Sequence, residues 1–269
     1  MKYEFVPAVD ASKLDHVGTY KRQVPVSLDR MYENALDWAH LSHLHQSSFS
    51  QIECLDAGSW GWRAAVTDSK GRQMGLELRL DRAARRWITR NLNGPTAGAE
   101  VWTHVFQVDE QILDLVIDFF VPGVAGEARD KVGRAYAQSY EMLYDEDVWM
   151  MSERQRQLDK RLNGVDPTDE LHLDTGSIEV PTRVALSGRE FILNKHAGDW
   201  VVYPAQCPHQ LGPLDTNPLR DGQATCPWHG FSFDVVTGER TDGGAYGGPC
   251  RFGQVPTLLV EEHSIVLRW

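Results

Sequence analysis

Cys207-Pro208-His209 is followed, after sixteen intervening residues, by Cys226-Pro227-Trp228-His229-Gly230. No other feature limits the fold and chemistry of this chain so sharply. Each Cys–His pair fits within one turn, and the Pro and Gly around it fix the backbone that aims the side chains. Two such turns, offered from neighbouring loops, can present two thiolates and two imidazoles to one centre. That donor set suits a tetrahedral zinc ion. It also suits a [2Fe–2S] cluster in which the thiolates hold one iron and the imidazoles the other. A colourless, iron-free preparation would mark zinc; a red-brown one would mark the cluster.

The rest of the chain leaves room for a second domain. Its 269 residues are enough for two modest domains or one large one. From Asp174 to Trp269 short strand-like runs alternate with Gly/Pro turns, the pattern of an all-β module. Before it the periodicities differ. A short helix is expected from about Ser27 to Leu41, with Asn34, Asp37 and His40 on one face. Trp60, Trp62, Ala64 and Val66 then alternate with polar or small residues, as do Met74, Leu76, Leu78 and Leu80, and Leu113, Leu115, Ile117 and Phe119. This period of two reads as an antiparallel sheet with one buried face. The stretch from Ala99 to Asp109 puts Trp102, His104 and Phe106 together, which makes His104 a candidate for lining a pocket. A long helix is expected from about Ala128 to Leu162. Val132, Tyr136, Tyr140, Leu143, Tyr144 and Met151 recur in it at helical spacing, so it should lie across the sheet. The polar run 163–169 reads as a linker, which divides the chain into domains 1–168 and 169–269.

Charge and termini narrow the function classes. A net charge of −11 argues against a nucleic-acid partner, which needs clustered Lys and Arg. No apolar run approaches the ~20 residues of a membrane helix, and residues 1–13 lack the apolar core of a signal peptide. A cytoplasmic protein is expected. In a reducing compartment four cysteines read as ligands or inert thiols; Cys54 and Cys250 are taken as structural.

A second constellation lies in the first domain. Residues 33–45 carry His40, His43 and His45. His43 stands at i+3 from His40 and fits a straight helix; His45, at i+5, requires the helix to bulge or end between them. Two imidazoles and one carboxylate on one face of an octahedron are the set that holds Fe(II) for O2 chemistry. The run Tyr144-Asp145-Glu146-Asp147 offers the carboxylate. Asp147 shares the apolar face with Leu143, Tyr144 and Met151, whereas Asp145 lies about 200° away and should face water. A carboxylate on a buried face needs a partner, and a metal is one.

Cys226-Pro227-Trp228-His229-Gly230-Phe231-Ser232-Phe233-Asp234 resembles the Rieske domain in its oxygenase and ferredoxin version. Respiratory Rieske proteins add a cysteine after each ligand pair; here those positions are Leu211 and Phe231. They also place a Ser and a Tyr as donors to the cluster sulfurs, in the order His-Gly-Ser-x-Tyr. Here the order is His229-Gly230-Phe231-Ser232-Phe233. Fewer donors to the sulfurs favour the oxidised form and imply a potential near the low end of the range, about −150 mV. Asn34, Asp37, His40 and His45 match the Asn-x-x-Asp-x-x-His-x-x-x-x-His of Rieske-type non-heme iron oxygenases, the ring-hydroxylating oxygenase alpha-subunit family. The resemblance covers nearly the whole chain in two pieces, with the domain order reversed so that the Rieske part is C-terminal.

The resemblance implies a [2Fe–2S] cluster on Cys207, His209, Cys226 and His229. It implies mononuclear Fe(II) on His40, His45 (in preference to His43) and Asp147. Asn34 and Asp37 join the catalytic set, and Asp37 bridges the centres by accepting hydrogen bonds from His40 and His229. Glu146-Asp147 and Gln155 are similar to the family's ligand helix. The implied fold class is α+β: a helix-grip (START/Bet v1-like) antiparallel sheet with a long helix, followed by the all-β Rieske domain. The implied activity uses O2 to hydroxylate or demethylate a small aromatic or cyclic substrate, in a homotrimer. Electrons come from a separate NAD(P)H-dependent reductase or ferredoxin, since this chain has no Gly-x-Gly-x-x-Gly fingerprint. A catalytic part of about 165 residues favours a monooxygenase over a dioxygenase. The competing reading is a Rieske ferredoxin-like electron carrier fused to a ligand-binding domain without iron.

Overall fold

The computed structural model describes residues 15–94, 96–160, 164, 166–244 and 246–269. Residues 1–13 of the leader reading, the expected helix end at 161–162, and linker residues 163 and 165 lie outside the described residues. Two compact units divide inside the long helix, Met1–Ser152 and Glu153–Trp269, ahead of the expected boundary at 168/169.

The first unit is built on seven antiparallel strands: β1 (His16–Val24), β2 (Phe49–Gly58), β3 (Gly61–Asp68), β4 (Gln73–Asp81), β5 (Arg86–Asn91), β6 (Glu100–Asp109) and β7 (Ile112–Phe120). Their order across the sheet is β1-β7-β6-β5-β4-β3-β2. The alternation in the sequence sets the faces. Trp62, Ala64, Val66, Leu76, Leu78, Leu113, Leu115, Ile117 and Phe119 form one buried core. Across that core runs the long helix α3 (Glu127–Leu158), which contributes Tyr144 and Met151 and packs Val132, Tyr136 and Tyr140 against it. A sheet gripping one long helix is the START/Bet v1 arrangement. Helix and sheet touch closely where Gly133 faces β1. A Cβ on Gly133 would stand 2.2 Å from the Val17 carbonyl oxygen, so only glycine lets the helix sit this deep. Asp147 lies fourteen residues further on, about four turns, and so returns to nearly the same face.

One expectation for this sheet is corrected. Trp102, His104 and Phe106 share a face of β6, but it is the outer one; Val101, Thr103 and Val105 point into the core. His104 therefore does not line the interior pocket. Trp102 is content outside because its indole N–H donates to Glu100 at 2.8 Å and Arg86 covers its ring at 5.2 Å. Glu100, itself 1 % exposed, is held by Arg90 at 2.7 Å.

The first helix, α1, spans Leu28–Leu36 behind an N-cap at Ser27, whose hydroxyl accepts from the Arg30 N–H. It stops at Asp37 (φ −87°, ψ 81°), well short of Leu41. A 3-10 turn (Trp38–His40) and a one-turn helix α2 (Leu41–Leu44) follow. The Trp62 indole N–H donates to the Ala35 carbonyl at 2.9 Å and pins the end of α1 to the sheet.

The second unit is all-β beyond the end of α3. Its strands are β8 (Glu170–Asp174), β9 (Thr182–Leu186), β10 (Arg189–His196), β11 (Asp199–Pro204), β12 (Gln223–Thr225), β13 (Ser232–Asp234), β14 (Thr257–Val260) and β15 (Ser264–Arg268). They form sheets β11-β10-β9, β12-β13 and β14-β15-β8. Leu186, Phe191, Leu193, Val202, Ile265 and Leu267 close its core. The β12–β13 hairpin carries residues 226–231 in its loop, and the other Cys–His pair follows β11.

Candidate metal centres

The two Cys–His loops of the second unit are built alike. In the first, the Cys207 N–H donates to the Gly212 carbonyl at 2.7 Å, and the Leu211 N–H donates back to the Cys207 carbonyl at 2.9 Å. In the second, the Cys226 N–H donates to Phe231 at 2.8 Å, and Gly230 donates to Cys226 at 3.1 Å. The fourth residue after each cysteine is left-handed: Gly230 at φ 68° and Leu211 at φ 67°. Glycine accepts that conformation freely, while Leu211 holds it against a penalty of about 1–2 kcal/mol. Backbone N–H groups of His209 and Gln210 point at the Cys207 sulfur, and those of Trp228 and His229 at Cys226.

These loops sort the four candidates into two pairs. The Cys207 and Cys226 thiols are both buried and unoxidised, and lie within hydrogen-bonding reach of each other. That contact, with burial, pushes the Cys207 thiol far up; Cys226 falls below its ordinary value, its burial outweighed by Cys207 and the backbone donors. The His209 and His229 rings stand edge to face at 4.7 Å. Thiols beside thiols and imidazoles beside imidazoles is the division a two-iron cluster requires. Gly212, which sequence reasoning passed over, makes the room: a Cβ there would lie 2.7 Å from the Cys226 sulfur and 2.8 Å from the Trp228 ring. The Ser232 and Thr225 hydroxyls share a hydrogen bond at 2.8 Å, and Phe233 is buried in the core.

The first unit gathers a different set. Asp147 Oδ1 lies 3.1 Å from His45 Nε2 and 3.4 Å from His40 Nε2. The ligand atoms of these three residues fall within 4.8 Å of one another, and all three residues are buried. The break at Asp37 makes this possible, because His45, at φ −100° and ψ 44° beyond α2, turns back toward His40. His43 is exposed on that short helix and stands outside the set. Asp145 is exposed and paired with Arg22 at 2.6 Å, as its helical angle requires.

Neighbouring groups hold the three in place. Asn34 donates from Nδ2 to Asp147 Oδ1 at 2.8 Å. The Glu146 carboxylate lies 2.6 Å from His45 Nδ1, which fixes the imidazole with Nε2 facing inward. This role for Glu146 was not read from the sequence, although its place one residue before Asp147 was. Asp37 Oδ2 lies 3.8 Å from His40 Nδ1, longer than a hydrogen bond. Gln155 donates to Asp159, just past the end of α3. Burial works against charge on His40, but Asp147 and Asp37 overcome it and push His40 up to about 10. Burial likewise opposes the Asp147 carboxylate, yet His45 and His40 hold it well below the usual range. The protonated His40 imidazole thus acts as a counter-charge to the Asp147 carboxylate, and a divalent cation can take that place by displacing the proton. The donor set fits a mononuclear Fe(II) ion. If it does, Glu146→Gln should raise the dissociation constant for Fe(II) about 10–100-fold, read by titration of the iron-depleted protein. An unchanged affinity would reduce Glu146 to a helix-surface carboxylate.

Comparison with known proteins bears on the second unit. Residues 164–249 match the family described as the Rieske [2Fe-2S] domain. The C-terminal part of this chain is a Rieske [2Fe–2S] domain. The paired cysteines and histidines above all lie within the matched residues. Over 59 residues the chain is 36% identical to apoptosis-inducing factor 3 of Mus musculus, covering 22% of this chain and 10% of that protein. Over 58 residues it is 38% identical to the chloroplastic pheophorbide a oxygenase of Oryza sativa subsp. japonica, covering 20% and 11% respectively. The matches thus span about a tenth of the length of these relatives. Among solved structures, the Zhui aromatase/cyclase from Streptomyces sp. R1128 is similar, with TM-score 0.47 and 17% identity, covering 55% of this chain and 99% of that one.

Proposed function

We propose that this chain is the terminal oxygenase of a Rieske non-heme iron system. It takes electrons from a separate NAD(P)H-dependent reductase or ferredoxin and uses O2 to hydroxylate or demethylate a small aromatic or cyclic substrate. The observation that carries this reading is the convergence of His40, His45 and Asp147 in the wall of a cavity, in a chain that also holds a Rieske domain. His40, His45 and Asp147 would hold the iron, which would supply the activation of O2.

The protein's own groups do the rest. Asn34 engages Asp147 Oδ1 and Glu146 fixes the His45 ring, so the three ligand atoms are pre-aimed. Asp37, on the Nδ1 side of His40, is the carboxylate we assign to electron transfer. Trp62, Trp87, Leu76 and Leu78 wall the cavity and keep water from the site. The small catalytic unit favours a monooxygenase, assembled as a homotrimer. No helix among the described residues is long and apolar enough to cross a membrane.

Iron and acid-labile sulfide in anaerobically purified protein test this reading. About three irons and two sulfides per chain are expected, one cluster plus one mononuclear ion. Two irons with two sulfides, persisting after ferrous iron is added back, would leave an electron carrier instead.

A further inference from the structure

The cavity beside the triad measures about 110 Å3. A dry protein cavity of about 150 Å3 holds one benzene ring, so the space within this one is at most that of a single ring and not that of a fused or macrocyclic system. Most of its wall is aromatic or aliphatic: Trp62, Trp87, Phe49, Leu76, Leu78 and Leu143. Two hydroxyls interrupt it, Thr89 from β5 and Tyr140 from α3. Among the described residues neither has a hydrogen-bond partner. The neighbouring Tyr144 differs, because its hydroxyl is engaged by Thr103. Burial raises the Tyr140 phenol, so it stays protonated and can donate. Both side chains are half-buried, so water serves these hydroxyls when the cavity is empty, and a ligand oxygen or nitrogen that reaches them takes that water's place.

The charges of the cavity restrict the ligand further. Among the described residues no Lys or Arg lines it; its ionisable groups are Asp37 and Asp147 with His40 and His45, and the two tyrosines. The carboxylates of Asp147 and Asp37 already balance the two positive charges of a bound Fe(II), so a carboxylate-bearing ligand would add a charge that no further side chain of the lining offsets.

We infer that the substrate is a neutral, single-ring molecule with one oxygen or nitrogen substituent that bonds to the Tyr140 and Thr89 hydroxyls. This rests on the oxygenase reading for its chemistry and on the cavity for its selectivity. Tyr140 and Thr89 are then specificity-determining residues.

Binding can be read without turnover, by 19F NMR on the full chain loaded with ferrous iron and kept free of O2. 4-Fluorophenol and 4-fluorotoluene should both bind and broaden, whereas 4-fluorobenzoate and 6-fluoro-2-naphthol should not. Tyr140→Phe should weaken 4-fluorophenol about 2- to 10-fold and leave 4-fluorotoluene unchanged. Thr89→Val should act in the same direction. Equal binding of 4-fluorobenzoate, or equal weakening of both neutral probes by Tyr140→Phe, overturns the inference. So does binding of the naphthol, or of no probe at all. Iron counted in the same samples separates the two readings. With the third iron present, a failure belongs to the substrate inference alone; without it, the oxygenase reading fails whatever the probes do.

Discussion

Asp147→Ala should remove the mononuclear iron and abolish turnover while leaving the red-brown colour and both sulfides in place. The loss should exceed the about 10–100-fold typical of an outer-shell partner, because the only carboxylate among the three converging ligand atoms disappears. The fold should survive. Asp147 is buried, but it sits in the first unit's polar corner with Asn34, His40 and His45, away from the Leu113–Phe119 core. The Asn34 amide is left without its acceptor and the imidazoles without their counter-charge, a penalty of about 1–3 kcal/mol. Asp145→Ala is the matched control. It removes an exposed carboxylate two residues earlier, paired only with Arg22 in the hydrogen-bond geometry, and should change stability by less than about 1 kcal/mol and iron content not at all. Retained iron and turnover in Asp147→Ala would refute the triad.

The contrast between Asp145 and Asp147 shows what periodicity can reveal. A helix angle of 200° separates a wet carboxylate from a buried one, and that angle is written in the spacing. The alternation of Leu113, Leu115, Ile117 and Phe119 likewise gave the inner face of β7. On β6 the same rule groups Trp102, His104 and Phe106 correctly but leaves their direction open, because both alternating sets hold apolar residues; in the fold Val101, Thr103 and Val105 turn inward. Spacing also placed His40 and Asp37 on one helix face with Asn34, but α1 ends at Leu36, and no sequence rule fixes where a helix yields to a 3-10 turn. Glu146 and Gly212 were hidden for another reason. Each acts through a contact across the fold, Glu146 with His45 and Gly212 with Cys226 and Trp228, and one sequence without its fold does not display such pairs. The unpartnered hydroxyls of Tyr140 and Thr89 belong to the same class, since a hydroxyl's lack of a partner is a property of three-dimensional surroundings.

Cys226→Ser should bleach the protein. Serine's hydroxyl keeps its proton where a thiol gives it up, so the backbone N–H groups of Trp228 and His229 would face a poor ligand. Cys207 would then be the single thiol opposite the His209–His229 pair, one ligand short of a closed cluster. Iron should fall from about three to about one per chain and sulfide to near zero, the remaining iron staying on His40, His45 and Asp147. The effect on stability should be confined to the second unit. Its ligand loops join at a buried thiol pair, and an empty metal site forfeits the binding free energy that had held those loops in the folded state. Thermal unfolding should therefore split into an early transition lost from the second unit and a late one that matches the wild type. Because Asp147→Ala spares the colour and Cys226→Ser spares the third iron, the two variants dissect one protein into its two centres. A Cys226→Ser protein that kept its colour would place the cluster on other residues. One that lost all its iron would mean that the triad does not hold metal on its own.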